Sequence, residues 1–157
     1  MNITDQSLRR WNVIAGLAHS VQLVIILILA NDFTLPITAT YLEGPPGTTP
    51  SDTITLFDSP IAWGVALFFA LSAFFHFLVA SPLYFTKYIA GLNLQRNYFR
   101  WVEYSISSSV MIVLIAQITG IADVAALIAI FGVNSSMILF GWLQEKFACM
   151  VETHHAN

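Results

Sequence analysis

Apolar residues gather along this chain in four long blocks, at residues 11–30, 61–83, 98–118 and 124–143. Each is close to the ~20 consecutive residues that a helix needs to cross ~30 Å of hydrocarbon. The pattern predicts four membrane-spanning helices. The first block follows "RRW" and could pass for a secretion signal. No small-x-small cleavage site follows it, however, and its apolar run exceeds the 7–15 residues of such a signal's core, so it reads as a retained helix.

Between the blocks the pattern changes. Residues 31–60 contain two Thr-rich alternating stretches, "ITATYL" and "DTITLF", around "GPPG". β-branched residues flanking a Gly/Pro cluster predict a β-hairpin with a multi-residue loop. A lone two-stranded ribbon is marginal in water. It is therefore expected to bury Ile37, Tyr41, Ile54 and Leu56 against the membrane domain or a neighbouring protomer. "ASPLYFTKYIAGLNLQR" (80–96) reads as a connection, closed on its helix side by Pro82 and punctuated by Gly91. "TGIAD" (119–123) reads as a tight turn with Asp123 as N-cap, making the last two spans antiparallel neighbours. The whole of 1–157 is read as a single all-α membrane domain.

Composition agrees with an integral membrane protein. Of 157 residues, 57% are hydrophobic and 10% charged, against about 25% charged in soluble domains. The mean hydropathy is +0.72. A net charge of −3 with six Lys/Arg offers no basic surface for nucleic acid. Cys149, the single cysteine, cannot form an internal disulfide. Charge also orients the chain. Arg9, Arg10, Lys87, Arg96, Arg100 and Lys146 all lie on one side of the predicted topology. The 31–60 loop carries Asp32, Glu43, Asp52 and Asp58 but no Lys or Arg. The positive-inside rule then puts both chain ends in the cytoplasm and 31–60 outside, in a multi-pass cell-membrane protein. The tail after Trp142 is polar. Its His154 and His155 are expected to be a solvated end rather than a metal site.

Against this apolar background three ionisable side chains stand out. Counted at 1.5 Å per residue from the cytoplasmic ends of their blocks, His19 lies ~12 Å deep, His76 ~9 Å and Glu103 ~8 Å. Three helices thus contribute to one layer, and Asn134 in the fourth block lies at a similar depth. Each has polar company at helical spacing: Gln22 three residues after His19, Ser72 four before His76, Ser107 four after Glu103. Intramembrane ionisable groups are costly and commonly mark a proton path, an ion path or a ligand's counterion. Arg100, three residues before Glu103, is the local alternative as its partner. The aromatic stretch "ALFFALSAFFHF" is read as packing and lipid-facing surface.

"RWVEYSISSSVMI" in the third block, the buried His of the first, "FFHFL" in the second and "GVNSSMILFGW" in the fourth together resemble the heliorhodopsins. These are retinal photoreceptors with an inverted, cytoplasmic N-terminus. The resemblance implies a rhodopsin-like bundle of which this chain carries helices 1–4 of seven. It implies all-trans retinal as cofactor, with Glu103 as counterion to its protonated Schiff base. His19 and His76 would form a proton-accepting polar cavity, and Tyr104, Ser108, Asn134, Met137 and Ile138 would line the retinal pocket. It further implies a homodimer with the 31–60 hairpin in its contact, and a sensory output through a cytoplasmic or membrane partner rather than pumping or enzymatic turnover. The family's retinal-linking lysine has no counterpart within these spans. Two other readings stay open. One is a four-helix protein that carries protons or binds a small ligand at the His/Glu layer. The other is a structural tetraspan whose hairpin binds partners.

Overall fold

The computed structural model describes the backbone of residues 5–155 and the side chains of 5–147. The side chains of Cys149, His154 and His155 lie outside those described. The element order is α1 (Asp5–Leu29), β1 (Thr34–Ala39), β2 (Ile54–Pro60), α2 (Ile61–Ala80), α3 (Phe85–Asn93), α4 (Tyr98–Ile118) and α5 (Val124–His155). Among the described residues, α1, α2, α4 and the Val124–Phe147 part of α5 are long and apolar enough to span a membrane. α1 packs on α2, α2 on α4 and α4 on α5.

Hydropathy located the spans but not every helix end. α1 begins at Asp5, a turn and a half before the apolar block, because hydrogen bonding carries a helix through polar interfacial residues. There Arg9 donates from Nε to the Ala80 carbonyl, 2.8 Å away, so a cation of α1 closes the C-terminal end of α2. α2 ends at Ala80 rather than at 83. The Ser81 hydroxyl and amide both turn back to the Leu78 carbonyl, and Pro82 has no N–H to continue the ladder. α5 runs on to His155, far past the apolar block, through helix-forming residues such as Leu143, Gln144, Glu145 and Lys146. The 80–96 connection contains a helix of its own, α3, which sequence punctuation alone did not reveal. The chain folds back so tightly after it that the Leu94 and Arg96 amides both donate to the Gly91 carbonyl.

The hairpin forms, displaced towards the helices relative to its predicted strands. β1 pairs antiparallel with β2, from Thr34 opposite Pro60 to Ala39 opposite Ile54, with a bulge between Ile37 and Thr38. It rests on the membrane domain through its backbone: the Thr38 amide donates to the Ala122 carbonyl at 2.8 Å. Of the expected inward residues, Ile37 is half-buried, while Tyr41, Ile54 and Leu56 stay exposed. The α4–α5 turn that receives the hairpin is built as the sequence reads. Gly120 adopts φ +100, which lets the Ile121 amide reach the Ala116 carbonyl and end α4. The Asp123 carboxylate caps α5 by accepting from the Ala126 amide at 2.9 Å.

α2 and α4 meet at Gly64. A methyl group there would lie 2.5 Å from Leu114 Cδ2, so glycine permits the close approach of the two spans.

Candidate functional site

The site is assembled near the α3 end of the bundle. On α1, Asn12 is buried and donates from Nδ2 to the Leu8 carbonyl at 3.0 Å. This fixes its amide so that Oδ1 faces His76 Nδ1 on α2, also at 3.0 Å. An amide oxygen only accepts, so His76 carries its hydrogen on Nδ1. His19 Nδ1 donates in the same way to Gln22 Oε1 at 2.9 Å. The two imidazoles stack with centroids 5.5 Å apart and planes 13° from parallel. In both rings Nε2 is left as the position that can take up a proton.

Glu103 is buried on α4, and the Ser72 hydroxyl of α2 hydrogen-bonds to it. The serine placed four residues before His76 thus serves the carboxylate of the next helix. Arg100 does not pair with Glu103: its guanidinium lies over the Trp101 and Tyr104 rings, 5.0 and 6.0 Å from their centroids. Among the described residues no lysine or arginine neutralises this carboxylate.

Asn12, His19, Ser72, His76, Arg100, Glu103 and Tyr104 line one cavity of about 280 Å³, with Phe68, Phe75 and Phe99 on its apolar side. It is large enough for several waters and has the polar partners they need. Three helices therefore bring His19, His76 and Glu103 to one site.

The other candidate residues are distributed differently. Asn134 does not line the cavity. Its Nδ2 donates to Ser108 Oγ at 2.9 Å and Ser109 Oγ at 3.0 Å, tying α5 to α4. Ser108 and Ser109 in turn donate to the Tyr104 and Ser105 carbonyls of their own helix. Met137 is exposed and, with Asn134, Ile112 and Val133, borders a separate apolar depression of about 370 Å³. Ile138 is half-buried, Ser107 is buried and Gln22 is exposed. Asn12 is the residue that sequence reasoning missed. The available signal was its position seven residues before His19, two turns away on the same face of α1. Tyr88 and Asn97 also line the cavity, delivered by α3 and the turn after it. Glu145 is a further addition: Oε2 accepts from the Trp101 indole and, at 3.2 Å, from the Asn97 amide, fixing the start of α4 to α5.

Nearly the whole chain, residues 8–156, matches the family model described as Heliorhodopsin. The chain belongs to the heliorhodopsin family. No curated protein matches it individually. Membership makes it an integral membrane protein of a retinal-binding rhodopsin family, and the residues can be tested against that cofactor. Retinal held through a protonated Schiff base would carry a positive charge, which a buried carboxylate could balance. Glu103 fits: it is buried, bonded to one hydroxyl, and not ion-paired with Arg100, whose guanidinium lies over Trp101 and Tyr104 on the same cavity. Lys87 on α3 and Lys146 on α5 both lie apart from the cavity lining. Among the residues lining this cavity, Glu103 is the one carboxylate that could balance a positively charged cofactor.

Proposed function

We propose that these helices form the counterion-bearing part of a light-sensing retinal photoreceptor whose output is signalling or regulatory rather than ion pumping. The observation that carries this reading is Glu103, a buried carboxylate whose described partner is the Ser72 hydroxyl and which forms no ion pair with Arg100, the one Lys or Arg on its cavity. Such a group is expensive inside a membrane unless a cation is brought to it. All-trans retinal, linked to a lysine of a helix outside these 157 residues, would supply that charge and its light-driven displacement. Glu103 holds the charge in place, and Ser72 orients Glu103. His19 and His76, whose Nε2 atoms are free, store a proton within the same cavity, and Asn12 keeps His76 in the tautomer that leaves Nε2 open. The six-to-none division of basic residues supports a cytoplasmic N-terminus. The exposed Tyr41, Ile54 and Leu56 of the hairpin supply apolar surface for a homodimer contact. A cytoplasmic or membrane protein partner receives the signal.

The test is reconstitution. Residues 1–157 with all-trans retinal should give no pigment stable to hydroxylamine. Co-expression with the last three helices of another heliorhodopsin should give one. In that pigment Glu103→Gln removes the negative charge beside the chromophore and should move absorption to the red. A spectrum unchanged by Glu103→Gln would defeat the counterion assignment. Failure to form pigment with any lysine-bearing partner would favour a proton-carrying or ligand-binding role for the His/Glu layer itself.

A further inference from the structure

A second cavity lies behind the first. Phe75 and Leu78 of α2, Lys87 of α3, and Tyr98, Phe99 and Val102 of α4 border an open, almost wholly apolar groove of about 380 Å³. Phe75 and Phe99 line both cavities, so the two stand back to back with these rings as a shared wall. The one charged group on the apolar cavity is Lys87, at the level where α2 has ended and α4 has not begun. Its ammonium lies 5.9 Å from the Tyr84 ring centroid, and among the described residues no carboxylate pairs with it. α3 therefore holds a lone cation over the mouth of an apolar groove that runs down between two membrane spans.

We propose that this groove is a binding site for an anionic phospholipid, its phosphate on Lys87 and an acyl chain against Phe75, Leu78, Phe99 and Val102. The charge complementarity selects the occupant. A lysine outside the hydrocarbon attracts an acidic headgroup by about 1 kcal/mol. The groove below it has apolar walls that a polar peptide or a hydrated ion would not satisfy. A zwitterionic lipid fills the groove equally well, but the cationic part of its headgroup offsets the phosphate, so it lacks the net attraction to Lys87. The site does not depend on retinal, so its test stands apart from that of the proposed function. Because Phe75 and Phe99 line both this groove and the Glu103 cavity, a lipid chain seated here gives membrane composition a direct mechanical route to that cavity.

The experiment is native mass spectrometry of the full chain, released from detergent after incubation with equimolar phosphatidylglycerol and phosphatidylcholine of identical acyl chains. The wild type should retain phosphatidylglycerol about fivefold over phosphatidylcholine, which is the ratio equivalent to ~1 kcal/mol. Lys87→Gln should bring the ratio to about one, whereas Lys146→Gln on α5 should leave it unchanged. Val102→Trp, or Leu78→Trp from the opposite wall, should reduce retention of both lipids, with circular dichroism confirming intact helices. Equal retention of the two lipids by the wild type would overturn the proposal. So would a preference that survives Lys87→Gln, a preference lost equally in Lys146→Gln, or undiminished lipid retention in both folded tryptophan variants.

Discussion

Trp101 and Glu145 make a contact whose strength can be measured by a double-mutant cycle. The indole of Trp101 donates to Glu145 Oε2, the Asn97 amide donates to the same oxygen at 3.2 Å, and the Trp101 ring packs over Gly141 so closely that a methyl there would lie 2.6 Å from Cζ3. A hydrogen bond to a charged group contributes about 1.5–3 kcal/mol. Glu145 is only half-buried, which screens the carboxylate and argues for the lower end, so a coupling of ~1–1.5 kcal/mol is expected. Trp101→Phe keeps an aromatic ring but removes the donor. Glu145→Ala removes the acceptor for both donors. The double variant should therefore be less damaged than the sum of the two single variants by the coupling energy. At this chain length roughly 2–4 °C of melting temperature corresponds to 1 kcal/mol, so thermal unfolding in detergent, followed by the helical dichroism band, resolves the effect. Glu145→Gln retains an acceptor oxygen without the charge and should lose about half as much as Glu145→Ala. If the single effects simply add, to within ~0.3–0.5 kcal/mol, the contact is not energetically coupled and the inference from its geometry fails.

Asn134→Ala removes both hydrogen bonds that tie α5 to α4 and should lower stability by ~0.6–1.7 kcal/mol, the range found for interhelical bonds in membranes. An unchanged melting temperature would mean the serines are satisfied equally well by their own helix. Gly64→Ala should cost about 1–3 kcal/mol through overpacking against Leu114, and Leu114→Ala added to it should restore part of the loss. A cysteine introduced at Thr48 should react with an impermeant thiol reagent in intact cells while Cys149 does not, and the reverse pattern would invert the topology. Hydrogen exchange of the Thr38 amide should be slow because it is bonded to Ala122, whereas exchange at the random-coil rate would show that the hairpin does not dock.

What the sequence made legible was whatever depends on one-dimensional patterning. The four spans, the fact of a hairpin, the Asp123 cap and the convergence of His19, His76 and Glu103 all follow from run length, alternation or helical rise. The apolar block at 98–118 coincides with α4, whose ends the structure shows to be set by Asn97 capping the first turn and by Gly120 after the last. Pairings that depend on how helices rotate against one another were not legible. Ser72 looked like a neighbour of His76 from its spacing, but the rotation of α2 against α4 hands it to Glu103. Asn134 shares the depth of the layer, yet it faces the serine side of α4 rather than the side bearing Glu103. Arg100 is close to Glu103 in sequence and shares its cavity, but its guanidinium lies over two aromatic faces rather than on the carboxylate. Depth is readable from counting residues, whereas azimuth is settled only by packing.

The bond from Thr38 to the Ala122 carbonyl also has a consequence in time. The hairpin is made early, as the chain emerges after α1, but its dock does not exist until α4 and the start of α5 have been synthesised. At translation rates of about 5–20 residues per second, that is a wait of roughly 4–17 s for the ~84 intervening residues. Throughout it the undocked segment, only marginally stable as a ribbon by itself, leaves strand edges unpaired and Tyr41, Ile54 and Leu56 exposed. Its charges, at Glu43, Asp52 and Asp58, and its Pro36 in the first strand are the features that discourage edge-to-edge association during such an interval. The order in which the nascent chain acquires its neighbours therefore bears on the composition of this loop as much as the finished structure does.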